Sequence, residues 1–145
     1  MARGPIFVIP GAAAAAMALG PISVPRPILP EDRIHPTIRE KVANNRIAIV
    51  KEVQEAVGAN DVVIVGMAIN PAPKRARKLL DAAGIPYKYM EYGSYFRDWR
   101  RRTALKMWTG WQTFPMIFVK GTFVGGASDL ASLMQSGELK RMLGR

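Results

Sequence analysis

From residue 36 onward the apolar positions come in blocks whose spacing switches between helical and extended. Ile38, Val42, Ile49, Val53 and Val57 recur at roughly helical intervals, which predicts helix over 36–57 with a break near Asn44-Asn45. Gly58 is a natural stop and Asn60-Asp61 a turn. Val62–Val65 is a short continuous apolar run, the pattern of a strand covered on both faces. A helix is predicted over 72–83, ended by Gly84, and a second strand over 86–91. The stretch 95–109 reads as helix, with Phe96, Trp99, Leu105 and Trp108 available for packing. Two β-rich runs flank Lys120-Gly121-Thr122 and predict a hairpin, followed by helices near 128–135 and 137–143.

This order is helix, strand, helix, strand, helix, hairpin, helix. A β-α-β start implies a parallel pair with a right-handed crossover. The hairpin adds antiparallel strands, so an α/β domain with a mixed sheet of about four strands and helices on both faces is expected. Residues 1–35 are foreign to this pattern. Pro5 to Leu19 is apolar, with an alanine run broken off by Pro10 and Gly11, and is shorter than the roughly 20 residues a spanning helix needs. Arg3 before it and Ala16-Met17-Ala18 near its end, which mimics a small-residue cleavage site, also fit a secretory signal. Pro21, Pro25, Pro27 and Pro30 make a stiff linker. The expected division is an N-terminal extension over 1–35 and one domain over 36–145. A cytoplasmic location is expected, with export or membrane association through residues 1–30 as the alternative.

Composition changes the picture in two ways. The chain has no cysteine and one histidine, His35, which removes thiolate nucleophiles, cysteine-held metals and a histidine triad from the chemistry it can supply. Its formal net charge of +10 favours an anionic partner. Basic residues cluster twice, at Lys74, Arg75, Arg77 and Lys78, and at Arg97, Arg100, Arg101, Arg102 and Lys106, where they interleave with aromatics. Arginine and tryptophan are favoured interface anchors, so an acidic protein or peptide surface is the expected partner. No nucleic-acid motif accompanies them, and neither nucleic acid nor membrane is the expected target.

Three spaced motifs then agree in order: Trp111-Gln112-Thr113-Phe114-Pro115, Gly125-Gly126-Ala127-Ser128-Asp129-Leu130 and Ser136-Gly137-Glu138-Leu139. Together they resemble the second half of a glutaredoxin, and the resemblance covers roughly Val50 to Leu143. It implies a thioredoxin-like fold. Pro115 stands at the mouth of a strand, where a proline deletes no interior ladder bond and a cis peptide can form.

The same resemblance locates a site and a loss. In a glutaredoxin the first strand leads to a cysteine at a helix N-terminus, where free N–H groups and the helix dipole favour thiolate. Here Asn70 stands in the nucleophile's place, Pro71 matches a common proline, Ala72 replaces an aromatic, and Pro73 replaces the resolving cysteine. An amide cannot exchange with a disulfide or ligate a cluster as thiolate does. Asn70 and Pro71 instead make a good helix start. The resemblance further implies a glutathione or peptide site. Thr113, Phe114 and Pro115 would offer backbone pairing and Gly125 and Gly126 would leave room. Ser128 would offer a helix start, Asp129 would meet an amine, and Arg102 would meet a carboxylate. The lysine many glutaredoxins carry three residues before their cysteine is Met67 here, and the cysteine after Gly-Gly is Ala127.

The expected function is therefore a redox-inactive binding, adaptor or regulatory module with no catalytic residue, metal or obligatory cofactor, and glutathione as a candidate ligand. The alternatives are a glutathione-dependent transferase or lyase using the bound tripeptide's thiol, and a structural subunit docked through the extension.

Overall fold

The computed structural model of the chain describes residues 26–94 and 96–145. The apolar run and signal-like features of residues 1–25, and Tyr95, lie outside them. After a short 3-10 turn at Glu31–Arg33 come α1 (Pro36–Asn44), α2 (Ile47–Ala59), β1 (Val62–Gly66), α3 (Pro71–Ala82) and β2 (Lys88–Glu91). Then follow α4 (Trp99–Thr109), β3 (Met116–Val119), β4 (Thr122–Gly125), α5 (Ala127–Ser136) and α6 (Glu138–Leu143). The strands form one sheet in the order β2-β1-β3-β4. β1 pairs parallel with β2 and antiparallel with β3, and β3 pairs antiparallel with β4.

The fully buried strand β1 shows why the run Val62–Val65 is unbroken. Successive side chains of a strand point to opposite faces. Val63 and Val65 pack with Met116, Phe118, α2 and α4, whereas Val62 and Ile64 pack with Ile117, Val119, α3, α5 and α6. Both faces are apolar because helices cover both. The hairpin turns at Lys120-Gly121, both with positive φ (50° and 80°), which suits the right-handed twist of the strands it joins.

One expectation is corrected. The helix read over 95–109 begins at Trp99, after Asp98 takes a left-handed φ of 61°. Phe96 and Trp99, expected to pack, are 93% and 55% exposed. Leu105 and Trp108 do join the core. The break expected near Asn44-Asn45 falls at Asn45 and Arg46, and the helix before it, α1, has no buried residue. Among the described residues no helix is long and apolar enough to cross a membrane.

Candidate functional site

Strand β1 ends at Gly66 because the next layer sits directly on it. A Cβ there would lie 2.8 Å from Pro73 Cβ and 2.9 Å from the Tyr89 hydroxyl. Pro73 is thus a packing residue beneath the start of α3. Asn70 caps that start: its Oδ1 accepts from Ala72 N–H at 3.0 Å. Its Nδ2 donates to Phe114 O at 3.4 Å, which ties the helix start to the loop before β3.

The chemistry of this helix start follows from counting its donors. A helix leaves its first-turn N–H groups without intrahelical partners, and these normally attract anions. Here Pro71 and Pro73 have no N–H, and the Ala72 N–H is taken by Asn70. The first turn of α3 therefore offers no free N–H to a thiolate, carboxylate or phosphate. This helix start thus has neither a thiol nor, over residues 71–73, a free N–H to favour a thiolate.

The Phe114–Pro115 peptide is cis, and both residues are buried, while Thr113 beside them is exposed. Lys106 lies over the Phe114 ring, its Nζ 5.9 Å from the centroid. Beyond Pro115 stands the β4–α5 turn. Asp129 Oδ2 accepts from Gly126 N–H at 2.9 Å, capping α5. The first-turn N–H groups of Ala127, Ser128 and Asp129 find no acceptor among the described residues. Gly125 is buried with φ 105°, and a Cβ there would fall 2.5 Å from Asp129 Oδ2. At Gly126 a Cβ would sit at ordinary distances, 3.6 Å from Pro115 O and 3.9 Å from Trp111 Nε1. That indole nitrogen is buried and has no hydrogen-bond partner among the described residues.

Asn70, Phe114-Pro115 and Gly125–Asp129 are thus joined in one continuous line of contacts, with Thr113 and Ser128 exposed at its margins. Arg102 does not belong to it. Its guanidinium is 6% exposed and turned inward, donating to the carbonyls of Tyr92, at 3.0 Å, and Arg97. One terminal nitrogen makes both bonds and so holds the loop between β2 and α4, and among the described residues no hydrogen bond joins Arg102 to the Phe114 loop or the start of α5. Lys106, legible in the sequence only as a member of the α4 basic cluster, lies one turn further along α4 and is the cation the structure sets beside Phe114. On the far side of α3, burial together with a hydrogen bond to Glu91 pushes the Tyr89 hydroxyl up to about 12. Burial and the hydrogen bond to Glu52 likewise raise Tyr92.

A four-stranded mixed sheet in this order, with a cis-proline loop facing the start of the helix after β1, defines a thioredoxin-like protein. Comparison narrows the class. A glutaredoxin family model matches residues 71–124. A glutaredoxin-like protein of Dictyostelium discoideum is 42% identical over 98 residues, covering 68% of this chain and 80% of that one. Mitochondrial glutaredoxin-2 of Bos taurus is 37% identical over 103 residues, covering 68% of this chain and 62% of that protein. The crystal structure of oxidized glutaredoxin 2 from Chlamydomonas reinhardtii superposes with a TM-score of 0.60 at 27% identity, covering 69% of this chain and 94% of that one. The chain belongs to the glutaredoxin family, and it does so without a cysteine.

Proposed function

We propose that the protein is a binding module without thiol chemistry, which takes glutathione or a similar extended peptide along the Phe114 loop and the start of α5. The observation that carries this reading is the contrast between the two helix starts. The first turn of α3 has no N–H to give. The first turn of α5 keeps three, beside Gly126, where an added Cβ would only just touch Pro115 O, Asp129 Oδ2 and the Trp111 indole. A ligand carboxylate is favoured by the free N–H groups and positive end of α5. A ligand backbone can pair with Phe114 in a short β-like contact. Asp129 keeps its second carboxylate oxygen for an amine, and Lys106 stands near enough to Phe114 to meet a second carboxylate.

The reading in which bound glutathione supplies a catalytic thiol has less support. Thiolate needs donors or positive charge close to sulfur, and the first turn of α3 presents no donor. The test is calorimetric titration of the purified chain with glutathione, wild type against Asp129→Ala. Saturable heat in the millimolar range or below, lost in the variant, supports the proposal. No heat at millimolar ligand ends it. Turnover of glutathione with an electrophile would favour the transferase instead.

A further inference from the structure

The strand-to-helix turn that precedes Asn70 carries a second feature. Ile69 has a φ of 63° and is 83% exposed. A β-branched residue in the left-handed region is a genuine outlier, and such strain clusters where a surface is used. Nothing in the domain's own packing needs this side chain, because it stands in solvent.

Two shallow grooves meet beside it. One, of about 330 Å³, is lined by Met67, Ile69, Asn70, Lys74 and Tyr89 among others. The other, of about 420 Å³, runs along α3 over Leu79 and Ala82 between Arg75 and Lys78. They share Pro71 and Lys74, and apolar side chains, Ile69 in one and Leu79 and Ala82 in the other, lie among cations in both. Lys74, Arg75 and Lys78 are exposed, and among the described residues none of them pairs with a carboxylate. Glu91 is the single carboxylate lining either groove, and it accepts from the Tyr89 hydroxyl at 2.9 Å.

We infer that this face docks an acidic protein segment, in which an apolar side chain between carboxylates packs on Ile69 and the carboxylates meet Lys74, Arg75 and Lys78. Charge complementarity selects the occupant. Single-stranded nucleic acid would need an exposed aromatic platform, and the aromatic in the groove, Tyr89, is covered by the Arg77 guanidinium 4.3 Å from its ring centroid. A bilayer favours a broad apolar helix face, and here one isoleucine stands at the edge of a concavity. The inference uses side chains of Ile69 and α3, not the Phe114 loop, and stands apart from the glutathione reading.

The test uses the full chain and a fluorescein-labelled peptide, Glu-Asp-Leu-Glu-Glu-Leu-Asp, followed by anisotropy in low salt. Lys74→Glu with Lys78→Glu should weaken binding at least about tenfold, because both cations face the ligand. A control pair with the same charge change, Lys51→Glu with Lys140→Glu, should move it less than about twofold, as expected for screened remote charges. Ile69→Gly should weaken binding at least about fivefold as a lost central anchor. The same substitution should raise the melting temperature, because glycine relieves the left-handed strain. Opposite signs for binding and stability separate an interface role from a structural one. Glutathione binding should not respond to Ile69→Gly, so either proposal can fail alone. The inference is overturned by no saturable peptide binding, by equal effects of the two charge pairs, by Ile69→Gly binding as tightly as wild type, or by a peptide with serine for leucine binding equally well. It is also overturned if oligothymidylate or phosphatidylserine vesicles compete the peptide away at lower concentration than unlabelled peptide.

Discussion

Gly125 and Gly126 are adjacent, yet they should respond oppositely to the same added methyl group. At Gly126 the new Cβ meets Pro115 O at 3.6 Å, Asp129 Oδ2 at 3.8 Å and Trp111 Nε1 at 3.9 Å, all ordinary contacts, and φ is −101°. Gly126→Ala should therefore change stability by less than about 0.5 kcal/mol, or stabilise slightly through the unfolded chain. At Gly125 the Cβ would lie 2.5 Å from Asp129 Oδ2 and 2.7 Å from its Cγ, with φ at 105°. Asp129 would have to leave Gly126 N–H, a capping loss of about 1 kcal/mol. The left-handed backbone adds about 1–3 kcal/mol. Gly125→Ala should thus cost about 2–4 kcal/mol, read from urea denaturation with an unchanged m-value. For binding the order reverses in diagnostic value. On the proposed path of the ligand, the Gly126 methyl would stand between Pro115 O and the indole, where the ligand's main chain would pass. A folded, stable Gly126→Ala should lose at least about tenfold in glutathione affinity, about 1.4 kcal/mol, by calorimetry. Wild-type affinity in Gly126→Ala would refute the proposed path of the ligand. A stability loss equal to that of Gly125→Ala would refute the geometry itself.

Two further outcomes follow from the site. Asn70→Ser keeps a capping oxygen but is too short to reach Phe114 O, so it isolates that long 3.4 Å bond and should cost about 0.5 kcal/mol, whereas Asn70→Ala loses both bonds and should cost about 1–2 kcal/mol in the same denaturation assay. Tyr89 and Tyr92 are raised above the ordinary tyrosine value of 10.0, chiefly by burial. Their neutral hydroxyls favour the folded state below pH 10, and that contribution is lost as pH climbs towards about 12. Ultraviolet titration of tyrosinate should show a late-ionising class that merges with the rest in denaturant, and folding free energy should fall across that window.

Much of the fold is legible in the amino-acid sequence because its signals are redundant. The run Val62–Val65, the hairpin around Lys120-Gly121 and the Asn70-Pro71 start each combine apolar pattern with turn or cap chemistry, and each lies where expected. The absence of cysteine is also legible, since it depends on residue types alone. The surface of α4 is not. Periodicity tells which residues share a face, not whether another element covers that face, so Phe96 and Trp99 read as core and stand in solvent. The burial of Arg102 is hidden for a related reason. A cation's spacing along a helix does not reveal whether buried carbonyls, here those of Tyr92 and Arg97, claim it first. Pro73 is legible as a helix-start residue, but its packing on Gly66 and Tyr89 depends on the parallel pairing of β1 with β2, which no local pattern encodes.

The proposed function rests on an α3 helix start that is closed to ligands and on an α5 start and Phe114 loop that are open to them. Amide chemical-shift mapping during a glutathione titration reads both at once. Saturable shifts at Phe114, Met116 and Gly126–Asp129, with Ala72 and Lys74–Ala76 unmoved, are the predicted result. Shifts centred on Ala72 and Lys74, or none anywhere at saturating ligand, would contradict it.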